Sequence, residues 1–202
     1  MIATSRLAVL ALDLQNDIAH PDGKLSASGS AAQAAERGVL ARAARVLEGG
    51  RAAGLPIGHV RVAFRPDYHD LHSRSPRFDG VRRAGALQIG TWGTEFCDPV
   101  APAEGEVVFT KQSVNPFLTT GLANWLNRRN VEEIVLFGVA TNQVVEATAR
   151  HGDDIGLSVT VLEDCCAAGS AEMHAFAAER MLPIFARVTG SQAFLDGLSG
   201  SA

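Results

Sequence analysis

Positive charge is scarce in this chain. Lysine occurs only twice, as Lys24 and Lys111, and 18 basic residues face 22 acidic ones for a net charge of −4. A protein that grips nucleic acid needs a basic face, so this balance argues against a nucleic-acid partner. Cysteine is equally sparse. Three, an odd number, do not make a disulfide framework, and 202 residues bury a core without one. A reducing, cytoplasmic setting fits that usage. No apolar run approaches the roughly 18 residues of a membrane span. The N-terminal run, Leu7 to Leu12, is too short for a signal-peptide core and has no small-residue cleavage site after it. No membrane partner is expected.

The composition, 47% hydrophobic and 20% charged, is that of a globular protein rather than a disordered one. At about 150 residues per domain, the length suits one domain over residues 1–202. Arg6 to Leu14 is a continuous apolar run ending in a charge, the pattern of a strand buried on both faces. Ala31 to Gly54 shows helical spacing, and Pro56 to Phe64 reads as a second strand. The segment Arg65 to Gly105 has little periodicity but contains Phe78, Leu87, Ile89, Trp92 and Phe96, so it reads as an ordered cover. Strands follow at Glu106 to Lys111, Glu133 to Val139, Ser158 to Cys166 and Ala186 to Thr189. Helices are expected around Thr120 to Arg129, Asn142 to Asp154, Ala171 to Met181 and Ser191 to Leu198.

This alternation predicts an α/β fold with a parallel sheet, helices on both faces and right-handed crossovers. Ligands in such folds sit beyond the C-terminal strand ends. The first residues to consider are therefore Asp13, Phe64, Lys111, Val139 to Thr141, and Asp164 to Cys166. Asp13 reads either as a polar residue leaving the core or as a partly desolvated carboxyl tuned for acid or base work. Lys111 needs a carboxylate partner at such a position. Asp13 is the natural candidate, as a structural ion pair or as a working one. Thr141 or Asn142 can cap the helix after the fourth strand, whose backbone N–H groups suit an oxyanion or carboxylate.

Three stretches together are more specific: DLQNDIAHPDG after the first strand, KQSVNPFLTTGL after the third and GVATNQVVEATAR after the fourth. They resemble the isochorismatase-like hydrolases, also called the cysteine hydrolase superfamily. GTWGTEFCDPVAPAEGEVVFTK and VTVLEDCCA, with Glu172 and His174, extend the resemblance to roughly Arg6–Phe194. It implies a six-stranded, mainly parallel sheet in a three-layer α/β/α domain, and a homo-oligomer. It also implies a site built from an aspartate (Asp13), a lysine (Lys111) and, usually, a nucleophilic cysteine at the start of the helix after the fourth strand. Aligning GVATNQVV with the family pattern puts Val144 at the cysteine's position. A non-proline cis bond between Val139 and Ala140 is expected on the same ground.

Valine can be neither thiolate nor nucleophile. Cys165 and Cys166 follow the fifth strand but read as packing residues, as Cys97 does. Some relatives bind a metal through an Asp-x-His pair and a further histidine. Asp67, His69 and His72 imitate that pattern, yet FRPDY resembles the metal-free relatives, so neither metal nor cofactor is expected. His174 reads as a packing or hydrogen-bonding residue.

The resemblance implies a hydrolase of a small, anionic metabolite. True isochorismatases keep the aspartate and lysine without the thiol, and isochorismate-type vinyl ethers are the leading substrate class. Amide or C–N hydrolysis by Asp13-activated water is the alternative, and a catalytically inactive ligand-binding member is the third reading. The expected pocket comprises Val139, Ala140 and Val144, with Phe64, Trp92 and Phe117 as further walls.

Overall fold

In the computed structural model, residues 6–199 are described. The ends of the expected domain, residues 1–5 and 200–202, lie outside them. The chain runs through β1 (Leu7–Leu12), α1 (Asn16–Ala19), α2 (Ser30–Glu36), α3 (Val39–Ala52), β2 (Ile57–Val62) and α4 (Pro76–Ala84). It continues through β3 (Val107–Lys111), α5 (Pro116–Thr119), α6 (Leu122–Asn127), β4 (Glu133–Val139), α7 (Glu146–Asp154), β5 (Ser158–Ala167), α8 (Ala171–Phe176), β6 (Arg187–Thr189) and α9 (Ser191–Ser199). Among the described residues no helix is long and apolar enough to cross a membrane.

All six strands pair in parallel, in the order β3-β2-β1-β4-β5-β6. β1, entirely apolar and entirely buried, lies at the centre. The helices divide between the two faces in a way that the strand register explains. Gly50 of α3 packs beside Val9 and Ile57, which are register partners and share a face. Gly152 of α7 packs beside Ile134 and Val159, also register partners. Val9 is in register with Val135, one residue out of phase with Ile134, so α3 and α7 cover opposite faces. This is the three-layer α/β/α arrangement.

The chain steps from β1 to β2 and β3 on one side, then returns to place β4 on the other side of β1. The C-terminal ends of β1 and β4 thus form the point where the winding reverses, the usual crevice for a ligand. The two ends approach closely. Gly138 has φ of 146°, and a Cβ there would fall 1.9 Å from the Leu12 carbonyl oxygen, so only glycine fits.

Two expectations need correction. The single helix read over residues 31–54 is two, broken where Gly38 turns left-handed at φ 63°. The cover contains a helix, α4, that periodicity did not reveal. Only Phe78 and Val81 of its nine residues are buried, too few to show a stripe.

Candidate active site

Asp13 and Lys111 meet at the crevice. Asp13 follows β1 with φ of 54°, a left-handed turn that aspartate tolerates better than a branched residue. Lys111 ends β3, two strands away, and its long side chain crosses the end of β2 so that Nζ donates to Asp13 Oδ2 at 2.8 Å. Both residues are buried, at 4% and 2% exposure. Among the described residues, Asp13 Oδ1 has no hydrogen-bond partner. Burial pushes the Asp13 carboxyl above its ordinary value, against the pull of the Lys111 and Arg77 charges. Burial likewise lowers the Lys111 ammonium, opposed by Asp13. The surroundings therefore work against the charge on each partner.

The pair lies against a cavity of about 570 Å³. Its apolar walls include Val62, Val81 and Leu87 from the cover side, and Val139, Ala140 and Val144 from the turn after β4. The Val139–Ala140 bond is cis, as expected. Thr141–Val145 forms a π-helical turn, in which Val144 is buried at 1% exposure.

Neither Thr141 nor Asn142 caps this turn, contrary to expectation. Thr141 Oγ1 instead meets His174 Nδ1 at 2.8 Å. The other ring nitrogen of His174 lies 3.3 Å from Glu163, whose carboxylate accepts from Arg37 at 2.7 Å. His174 is thus a buried hydrogen-bonding residue that braces the cavity wall.

The three expected aromatic walls are displaced. Among the described residues lining the cavity, Phe64, Trp92 and Phe117 are absent. Phe64 packs one layer behind the wall, edge-on to Phe78, because its backbone joins the cover through Leu87 and Ile89. Trp92 is half exposed and sits edge-on to His20, and Phe117 stacks on His151 of α7. Phe78 supplies the aromatic wall instead.

The polar residues after Asp13 fix the end of β2 and attach the cover. The Gln15 side-chain amide pairs with the Val62 backbone like a strand neighbour, at 2.9 and 2.8 Å. Buried Asp17 accepts from Leu87 N at 2.7 Å and from Lys24 N at 3.0 Å. Asn16 donates to the Trp92 carbonyl. Their signal in the sequence was a polar run, QND, where a strand enters a loop.

The cysteines are buried and stand apart from the cavity lining. Burial pushes the Cys97 thiol up to about 11 and Cys166 up to about 12, and it raises Cys165 as well. The Asp67 carboxylate is held by the Arg65 guanidinium at 3.1 and 3.0 Å. Among the described residues, no group of three His, Cys, Asp or Glu side chains converges to hold a metal ion, so Asp67, His69 and His72 do not assemble a metal triad.

A doubly wound α/β sheet with a buried aspartate–lysine pair at its switch point defines a small-molecule site of enzyme type. The isochorismatase domain family matches residues 7–193, and the chain belongs to that family of hydrolases. It is 30% identical over 191 residues to the isochorismatase family protein YecD of Escherichia coli O157:H7, covering 95% of each chain. It is 28% identical over 205 residues to the ureidoacrylate amidohydrolase RutB of Methylobacterium radiotolerans, covering 94% of this chain and 78% of that one. An isochorismatase family protein from Desulfovibrio vulgaris superimposes with a TM-score of 0.84 at 25% identity, covering 96% of this chain and 98% of that one.

Proposed function

We propose that this protein hydrolyses a small anionic metabolite without a thiol nucleophile, using Asp13 and Lys111 as its acid–base pair. One observation carries the reading. The Asp13–Lys111 pair leaves Asp13 Oδ1 without a partner beside a cavity whose described lining holds no cysteine. Val144 lines that cavity where the family resemblance puts the nucleophile. The leading reaction is hydrolysis of an isochorismate-type vinyl ether. Protonated Asp13 donates its proton to the vinyl carbon, leaving an oxocarbenium ion. Water adds to that cation and returns a proton to Asp13, and the hemiketal collapses to a ketone and an alcohol. Lys111 holds Oδ2, which directs the exchangeable proton to Oδ1.

Burial supports this assignment because it favours the protonated carboxyl. The test is pyruvate release from isochorismate by the wild type and by Asp13→Asn. Release that the substitution abolishes supports vinyl-ether hydrolysis, and no release above the uncatalysed rate removes isochorismate as substrate. The similarity to a ureidoacrylate amidohydrolase favours a second reading, amide or C–N hydrolysis by water that ionised Asp13 activates. Asp13-dependent ammonia release from carbamoyl or ureido acids tests it. Binding of these compounds with no turnover would instead mark a non-catalytic member. A homo-oligomer in the cytoplasm remains part of the proposal, checked by light scattering and cell fractionation.

A further inference from the structure

We propose that Arg77 is the anion-selecting residue of the cavity and that the molecule it selects carries a planar carboxylate on a flat, largely apolar body. The inference rests on the reading of this cavity as the substrate site. Arg77 comes from α4 in the cover and is fixed from two sides. Its guanidinium stacks over the Phe78 ring at 4.6 Å, and Nη1 donates to Gln143 Oε1 at 3.0 Å. Gln143 belongs to the turn after β4, so this bond joins the cover to the opposite wall.

Arg51 closes its fork on Glu106 and Arg65 on Asp67, whereas Arg61 and Arg45, which do not line the cavity, bond neutral groups. Arg77 forms no ion pair with a described carboxylate. Its one described hydrogen-bond acceptor is a neutral amide, which leaves most of five N–H donors for a ligand. A guanidinium held in one plane matches a carboxylate through two parallel hydrogen bonds.

The charge inventory of the described lining agrees. Three cations, Lys24, Arg77 and Lys111, face one acid, Asp13. Lys111 is committed to Asp13, and Lys24 donates to the Gly85 carbonyl at 2.8 Å. One uncommitted guanidinium suits a monoanion rather than a phosphate dianion. The remaining walls, with Phe78, Val81 and Leu87 beside Arg77 and Val139 and Val144 opposite, suit a flat apolar body.

Calorimetric titration with benzoate, benzamide and phenyl phosphate separates these possibilities without turnover. Wild-type protein is expected to bind benzoate more tightly than either other probe. Arg77→Gln is expected to weaken benzoate roughly tenfold or more and leave benzamide unchanged, with Arg77→Lys between, because lysine keeps the charge and loses the fork. Unchanged benzamide affinity shows that the cavity is intact in the variant. Benzoate binding no tighter than benzamide, or unaltered by Arg77→Gln, overturns the proposal. So does tighter binding of phenyl phosphate. Asp13→Asn is expected to bind benzoate at least as well as wild type while losing hydrolysis, so the two proposals fail by different measurements.

Discussion

His174 and Thr141 are joined at 2.8 Å in a buried contact that ties α8 to the turn after β4. Through Glu163 the chain of contacts reaches Arg37, so the wall beside Asp13 is held from the far side of β5. His174→Ala removes the partner of a buried hydroxyl. The expected loss is about 1–3 kcal/mol in urea unfolding, together with reduced kcat/KM because the wall is no longer held. Unaltered stability would place the support of this turn elsewhere.

Lys111→Met leaves the Asp13 carboxyl buried without its counter-charge. Breaking a buried pair in this way costs about 3–5 kcal/mol, whereas removing both partners costs much less. Asp13→Asn combined with Lys111→Met is therefore expected to be more stable than Lys111→Met alone. A double-mutant cycle of denaturation free energies measures the difference. Additive effects would show that the two groups are not coupled.

In the proposed reaction the same pair sets the response of catalysis to pH. If Asp13 acts as the acid, kcat/KM is highest at low pH and falls as pH rises through a carboxyl pKa raised by burial. Arg77 pulls that pKa down, so Arg77→Gln is expected to shift the falling limb to higher pH. A profile that instead rises with pH through this group assigns Asp13 the base role of amide hydrolysis.

A separate pH effect belongs to stability. Glu106 accepts from Arg51, from the Ala103 N–H and from His59. Burial works to raise its carboxyl, but these donors outweigh burial and bring it down to about 2. Its stabilising contribution is therefore full above 4.5, the ordinary value, and is lost as pH falls toward 2. His59 acts in the same sense. Burial lowers it from 6.5, so unfolding takes up a proton and stability begins to fall below that pH. The melting temperature should decline on acidification from neutral pH, with a flatter decline between pH 4.5 and 2 for Glu106→Gln.

Sequence patterning revealed the sheet because buried parallel strands are apolar on both faces. Glu133–Val139 was delimited without error, and charges ending such runs exposed Asp13 and Lys111. The cover was less legible. Its placement depends on backbone groups meeting Asn16 and Asp17, which leave no periodicity, and α4 buries only two side chains. Arg77 went unnoticed among sixteen arginines because only the fold brings it to Gln143. Phe64, Trp92 and Phe117 misled for the converse reason: an aromatic near a strand end can pack away from the crevice.

The attachment of the cover through Asp17 has an evolutionary consequence. Asp13 and Lys111 stand at the ends of β1 and β3, whereas Arg77 and Phe78 ride on a segment that Asp17 and Asn16 hold through the Leu87 amide and the Trp92 carbonyl. Insertions and replacements between β2 and β3 can therefore reshape the cavity wall while Asp13 and Lys111 stay in register. Selection can explore new substrates by rewriting one exchangeable cassette.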